Sequence, residues 1–393
     1  MIKERPRARH SRTAMRSWVR AALFPCATVA FSCGPESDPG PGVIGGAPTL
    51  AGGSAAVTGG ANASTGGTIV ASGGSSPSTG GAPDSGAGGA TPSSGCGKPW
   101  APAGVTVEQP STRRAGGQLL HTEITVSGNV RQYLVVVPLN YDPNTPYPLV
   151  FGFHGSGGDR DQLRGYLNLE IPAGGRAIFI YPTGSITTSG STGWASGDNS
   201  EDLLFVDALL EQYSGELCID RQRVFVTGHS YGGLMTNTVG CYRGNVFRAI
   251  APVAGGGPYG RSPLCVGEVA AMMIHSPLDT ATQYSGAIAS CTRVLRANHC
   301  QENPACGCYW VEALSSGTEP CIQTAVEPYV TNVSIQTTAD DLQPPAFRQD
   351  LGCDAGYPLV FIDHYNGRDP RYHNPPSWAG AVIWEFLAGL PAR

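Results

Sequence analysis

The sequence predicts an α/β domain, with a mainly parallel sheet flanked by helices, behind a disordered N-terminal linker. Three observations predict it. From about residue 96 onward, apolar runs of strand length alternate with segments of helical periodicity, the pattern of parallel strands joined by crossover helices. One junction is sharply drawn. Val224-Phe225-Val226 runs into Gly228-His229-Ser230-Tyr231-Gly232, and Leu234, Met235, Val239 and Cys241 then recur at roughly helical spacing. Residues 34–95, in contrast, are almost entirely Gly, Ser, Ala, Thr and Pro. Such a stretch buries too little apolar surface to offset its ordering entropy.

The first 33 residues read as an export segment. Lys3, Arg5, Arg7, Arg9, Arg12, Arg16 and Arg20 make a basic start, and the apolar run from Ala21 to Phe31 is too short to span a bilayer. Ala30-Phe31-Ser32-Cys33 resembles a bacterial lipobox, which would make Cys33 a lipidated anchor and residues 34–95 a tether. Met15 is an alternative start that leaves a shorter signal. Residues 96–393 are then left to fold as one domain, a size that suits a single α/β unit.

The chain holds 25 basic and 30 acidic residues. Seven basic and one acidic residue fall in the first 20, which leaves the rest at a net charge of −11. That balance argues against nucleic acid or an anionic membrane surface as partner. Beyond Cys26 and Cys33, ten cysteines remain, an even number that reads as disulfides in an exported chain. Cys306-Gly-Cys308 and His299-Cys300 lack the second C-x-x-C pair of a zinc site, so no metal or cofactor is expected. Their pairing cannot be read from sequence.

Along the domain, Leu119 to Val126 and Arg131 to Pro138 alternate as paired strands, with Ser127-Gly128-Asn129 as the turn. Pro148 to Phe153 is a buried strand that opens directly into His154-Gly155-Ser156-Gly157-Gly158. Ala177 to Tyr181 is the next, ended by Pro182. Asp202 to Tyr213 is helical, with Asp202 expected to cap it. After the Ser230 strand and helix come strands at Phe247 to Val253 and Ala270 to His275, and a helix over Gln283 to Ala297. Tyr357 to Ile362 is a late strand, and Trp378 to Leu387 a closing helix.

The chemistry-bearing residues sit where this order puts the carboxyl ends of strands. G-x-S-x-G between a strand and a helix places Ser230 at the tip of a tight turn, with glycines two before and two after to avoid clashes. A serine needs a base, and the base needs an orienting group. Asp279 follows the apolar strand Ala270 to His275 and is the expected acid, with Asp363 and Asp354 as rivals. His373, in H-N-P-P-S-W just before the last helix, is the expected base, and His364 its rival. His275 is expected to shape the Asp279 loop. Oxyanion donors are expected from the amides of Tyr231 and Ser156, with Gly155 as the next choice. The glycines of that loop do not form a phosphate cradle, because no G-K-[ST] or strand-linked G-x-G-x-x-G is present. Trp194 and Trp378 are candidates for the substrate-binding wall, with core packing the competing reading.

An ordered set of motifs then carries a resemblance. Phe151-Gly152-Phe153-His154-Gly155, Gly193-Trp194, Asp202 before an apolar helix, Val224 to Gly233, Ile274 to Asp279, Gly352 to Pro358, and His373 before Trp378-Ala379-Gly380 occur in that sequence. The chain resembles the secreted feruloyl esterase, acetylxylan esterase and polyhydroxybutyrate depolymerase group of α/β-hydrolases, of the carbohydrate esterase family 1 type, from about Cys96 to Leu390. The resemblance implies the α/β-hydrolase fold and ester hydrolysis through an acyl-enzyme on Ser230, Asp279 and His373, without metal or cofactor. It departs from the group in two places. Ser276-Pro277 replaces the glycine of H-G-x-x-D, and the long segment carrying Cys291 to Cys353 reads as a lid or substrate-binding insertion. The leading expectation is an exported serine esterase acting on feruloyl or acetyl esters of plant polysaccharide. A polyhydroxybutyrate depolymerase is the alternative within the class, and a non-catalytic surface-tethered binding protein the alternative outside it.

Overall fold

In chain order the strands are β1 (Thr106–Glu108), β2 (Gly117–Val126), β3 (Asn129–Val137), β4 (Tyr147–Phe153), β5 (Ile178–Pro182), β6 (Ser185–Ile186), β7 (Thr192–Gly193), β8 (Ile219–His229), β9 (Ala249–Val253), β10 (Ala270–His275), β11 (Phe347–Leu351) and β12 (Leu359–Asp363). The helices are α1 (Gln162–Tyr166), α2 (Glu170–Ala173), α3 (Glu201–Glu216), α4 (Tyr231–Tyr242), α5 (Tyr284–Ala297) and α6 (Ala379–Gly389). The structure, a computed structural model, describes residues 90–112, 114–258, 265–300, 306, 346–353, 356–364 and 371–393. The expected export segment (1–33), most of the expected linker (34–95), Asp354 and most of the expected insertion lie outside the described residues. No helix among those described is long and apolar enough to cross a membrane.

Ten strands form one sheet in the order β1-β2-β3-β5-β4-β8-β9-β10-β12-β11. β5, β4, β8, β9, β10 and β12 run parallel, with antiparallel neighbours at both edges. Alternation along the strands sends side chains to two cores. Phe151, Phe153, Val224, Val226 and Met273 meet α3, α4 and α5 on one face, whereas Val150, Phe225, Met272 and Ile274 meet α1, α2 and α6 on the other. This two-sided burial explains why the central strands read as continuous apolar runs. It is an α/β-hydrolase fold with a mainly parallel sheet. After β4 the chain steps to β5 on one side and later to β8 on the other. The sequel to β4 and the sequel to β8 therefore open into the crevice at this switch point.

Local chemistry explains several boundaries. The hairpin turn is tighter than the sequence suggests: Ser127 and Gly128 take φ of 51° and 83°, the pair of positive values a two-residue turn needs, and Asn129 already belongs to β3. The cap of α3 is Ser200 rather than Asp202. Ser200 has the extended backbone a cap requires, and its hydroxyl accepts from the Leu203 amide at 3.3 Å. Asp202 lies inside the first turn, buried, where it pairs with Arg131 and accepts from the Ala195 amide at 2.6 Å.

Thr91 to Gly95, compositionally part of the linker stretch, lie against the body. Pro92 bridges to Asp220, the buried Ser93 hydroxyl donates to Leu217 O at 2.7 Å and accepts from the Ile219 amide at 3.0 Å. Small hydroxyl side chains can satisfy backbone groups that a bulky residue would cover. Four disulfides are present among the described residues: Cys96–Cys218, Cys241–Cys265, Cys291–Cys306 and Cys300–Cys353. Cys308 and Cys321 lie outside the described residues.

Candidate active site

Ser230 stands between β8 and α4 with φ 58° and ψ −119°, a conformation that costs a non-glycine residue about 1–3 kcal/mol. The strain is held by its surroundings. The Ser230 amide donates to Val253 O at 2.9 Å, and its carbonyl accepts from Leu234 at 3.0 Å. The flanking glycines are obligatory on packing grounds. A Cβ at Gly228 would lie 2.4 Å from Gly232 O, and one at Gly232 would lie 2.0 Å from Phe153 O. The G-x-S-x-G spacing thus lets α4 start hard against the ends of β4 and β8.

His373 and Asp279 converge here although 94 residues apart in sequence. His373 Nδ1 lies 2.8 Å from Asp279 Oδ2, which leaves Nε2 as the atom that can serve a serine. Asp279 Oδ1 accepts from the amides of Ala281 and Thr282 at 2.8 and 2.9 Å, and Oδ2 also faces His275 Nε2 at 3.3 Å. Burial opposes the charge of Asp279, but the hydrogen bonds from His275, His373 and Thr282 outweigh it and hold the carboxyl well below its ordinary range. His275 Nε2 also contacts Thr282 O at 3.1 Å. A carbonyl only accepts, so Nε2 carries the proton.

The rival residues are placed elsewhere. His364 is buried at the end of β12, its amide donating to His275 O at 3.1 Å, and burial pushes its imidazole down to about 3. Asp363 pairs in register with His275 and accepts from Tyr284 Oη at 2.6 Å. Burial pushes its carboxyl up to about 7.

The loop after β4 is braced from within. His154 is buried, with Nδ1 2.6 Å from Gly155 O, Nε2 accepting from the Gly184 amide at 2.9 Å, and its carbonyl accepting from the Trp194 indole at 2.8 Å. Gly157 donates to Thr192 O at 2.9 Å, tying the loop to β7. Ser156 is exposed beside Ser230. The Tyr231 amide is the first of its helix, where no intrahelical acceptor exists. The Gly155 amide faces the Tyr166 hydroxyl, which favours Ser156 over Gly155 as a donor toward substrate.

One relay was not legible in the sequence. His229 Nε2 lies 2.9 Å from the His373 carbonyl and must donate to it, so Nδ1 is the acceptor for Tyr166 Oη at 3.0 Å. Burial pushes His229 down to about 4, keeping it neutral in this role. The position just before the serine in G-x-S-x-G is therefore occupied by a residue that grips the backbone of His373. Its identity as histidine was the available signal, but its partner lies 144 residues away in sequence.

Ser230 and His373 open on one cleft of about 620 Å³, which also touches Gln162, Tyr166, Arg371 and Asn374. Trp194 and Trp378 are not in its wall, which corrects their assignment to substrate binding. Trp194 is only 2% exposed and packs on Phe153 and His154. The neighbouring Gly193 lies under the Tyr231 ring, where any Cβ would meet it at 2.5 Å, and Trp194 turns inward behind the loop. Trp378 is 3% exposed in the α6 core.

Comparison with known proteins gives a consistent picture. The prolyl oligopeptidase family matches residues 190–256, the stretch from β7 through Ser230 to just beyond β9. Feruloyl esterase D of Neurospora crassa is 31% identical over 311 residues, 75% of this chain and 89% of that protein. Feruloyl esterase C of Emericella nidulans is 35% identical over 182 residues, 44% of this chain; the chain spans 64% of that relative's length. Among solved structures, an acetyl xylan esterase from Aspergillus awamori superimposes with a TM-score of 0.51 at 14% identity, covering 69% of this chain and 99% of that one. At that identity the likeness speaks for the fold alone.

Proposed function

The chain belongs to the feruloyl esterase family, and from that premise we propose that it is a serine carboxylic-ester hydrolase acting on feruloyl or acetyl esters of plant polysaccharide through an acyl-enzyme. The observation that carries the reading is the 2.8 Å contact of His373 with Asp279, on a cleft shared with a strained, elbow-borne Ser230. Ser230 Oγ attacks the ester carbonyl while His373 Nε2 takes its proton. Asp279 keeps the imidazole in the tautomer that makes this possible and stabilises the imidazolium. The amides of Tyr231 and Ser156 hold the oxyanion. His373 then hands the proton to the departing alcohol, and water, activated in the same way, releases the acid and restores Ser230. Every proton step uses one group, so no cofactor is needed.

The test is hydrolysis of methyl ferulate, p-nitrophenyl acetate and a hydroxybutyrate oligomer by the wild type, Ser230→Ala and His373→Ala. Dominant ferulate turnover, lost by several orders of magnitude in both variants, is the expected result. Dominant oligomer turnover moves the substrate to polyhydroxyalkanoate. Full activity in His373→Ala removes it as the base.

Export is part of the same proposal. The four disulfides support an oxidising compartment. A lipid on Cys33 is a further proposal that rests on sequence alone, and mass spectrometry of the membrane-extracted protein tests it.

A further inference from the structure

Two hollows meet at Ser230. The larger, about 620 Å³, runs past His373 and is walled by Gln162, Tyr166, Arg371 and Asn374. The smaller, about 230 Å³, is walled by Tyr231, Leu234, Gly256 and Thr282. Ser156 and Ser230 border both. Ester chemistry gives the two hollows different occupants. The proton that the base takes from the serine is handed to the departing alkoxide. The leaving oxygen must therefore come within hydrogen-bond reach of His373, and the alcohol behind it extends into the hollow that contains the imidazole. The acyl arm lies on the other side of the carbonyl, in the hollow that does not.

We propose that the larger cleft is the subsite for the leaving alcohol, the sugar of the esterase reading above on which this proposal rests, and that Arg371 and Gln162 set the preference for it. The walls agree with this division. The large cleft presents a guanidinium, two side-chain amides and a phenol, groups that hydrogen-bond the hydroxyls of a sugar. Among its described lining residues there is no carboxylate. Arg371 is exposed yet tied down, because its carbonyl accepts from Thr280 at 3.0 Å in the Asp279 loop. Gln162 sits at the start of α1 over the oxyanion loop, its Oε1 in the space a Cβ on Gly158 would fill. The smaller hollow has the opposite character. It offers Tyr231, Leu234 and Gly256, with Thr282 beside them, a mostly apolar wall for an aromatic acyl arm. At about 230 Å³ against about 620 Å³ it is also much the smaller of the two.

The test holds the acyl group constant and varies the alcohol. The kcat/KM is measured for a feruloylated arabinoxylan oligosaccharide and for methyl ferulate, in the wild type, Arg371→Ala, Arg371→Lys and Gln162→Ala. The wild type should favour the oligosaccharide ester. Each alanine variant should lower the ratio of the two constants by roughly three- to tenfold, the effect of losing one or two hydrogen bonds. Arg371→Lys, which keeps the charge but not the fork, should fall between. The loss should appear in acylation, because the alcohol has gone before deacylation begins; burst kinetics with p-nitrophenyl ferulate isolates that second step. A ratio unmoved in all three variants, or a loss confined to deacylation, overturns the subsite and leaves the esterase standing. If the wild type turns over neither ester, the esterase reading falls and the subsite with it.

Discussion

Replacing His229 by leucine should slow catalysis without weakening substrate binding. The imidazole makes two bonds, to the His373 carbonyl at 2.9 Å and to Tyr166 Oη at 3.0 Å. The carbonyl is interior, and leaving it unpaired costs about 1–3 kcal/mol. The Tyr166 hydroxyl opens on the cleft and can turn to water, so its loss adds about 0.5–1.5 kcal/mol. A total near 3 kcal/mol lowers Tm by on the order of 10 °C in a domain of this size. The kinetic effect arises separately. With its backbone released, the His373 ring is no longer held in register with Ser230, and a displacement of about 1 Å is worth roughly 100-fold. The expected result on methyl ferulate is kcat down by about 10- to 100-fold with KM changed by less than about threefold. His229→Gln retains an N–H at nearly the same reach and should recover most of kcat. Equal kcat losses in the leucine and glutamine variants would refute the positioning argument, as would a leucine variant that loses stability but keeps kcat.

Three further outcomes are expected. Asp279→Asn should lower kcat by about 10³- to 10⁴-fold, because the amide favours the wrong tautomer of His373; a loss under tenfold would remove Asp279 from the mechanism. The fold should weaken in acid: His229 and His364 gain protons near pH 6.5 when unfolded but only near 4 and 3 when folded, so stability is present above pH 6.5 and lost as pH falls, by about 3 kcal/mol for His229 alone. Denaturant titration of Asp363→Asn at pH 7 and pH 4.5 measures it with the opposing carboxyl removed, and equal midpoints would contradict it. Asp363 works in the opposite direction. Its folded carboxyl protonates near 7 and its unfolded one near 4, so the folded state is favoured below pH 4 and loses up to about 4 kcal/mol as pH rises through 7. Asp363→Asn keeps the Tyr284 bond, and should raise Tm at pH 8 while changing it little near pH 4; a lower Tm at pH 8 would show that the charge is stabilised.

The residues legible in the sequence are those whose chemistry is local. Ser230 announces itself through glycines at fixed offsets, and those glycines prove to be packing requirements. Asp279 is reached by following a strand to its carboxyl end and His373 by its place just before the last helix, rules that depend only on topology, and the structure sets the two 2.8 Å apart. The misreadings share a cause. Trp194 and Trp378 are open in sequence to either a substrate wall or core packing, and burial decides for the core, because an aromatic next to a catalytic loop can be the surface the loop rests on. Asp202 stands at a helix start where a cap is expected, but Ser200 has the backbone conformation for it and Arg131, on a distant strand, draws the carboxylate inward. His229, His154 and Tyr166 act through partners 30 to 144 residues away in sequence. Nothing in a local pattern could reveal those contacts. The short α1, which carries Gln162 and Tyr166 into the cleft, has too few turns to show periodicity.

The strap from Thr91 to Cys96 has a mechanical consequence. It meets the body at the first residues of β8, and β8 ends at the nucleophile; eleven residues of strand place these points roughly 35 Å apart. A pull on the chain from the N-terminal side of residue 90 therefore acts at the pole opposite the cleft. The Pro92–Asp220 bridge and the Ser93 bonds would peel first. The force would then meet the Cys96–Cys218 crosslink and pass by covalent bonds into the central strand. An enzyme pulled from this end would present its cleft on the side away from the pull.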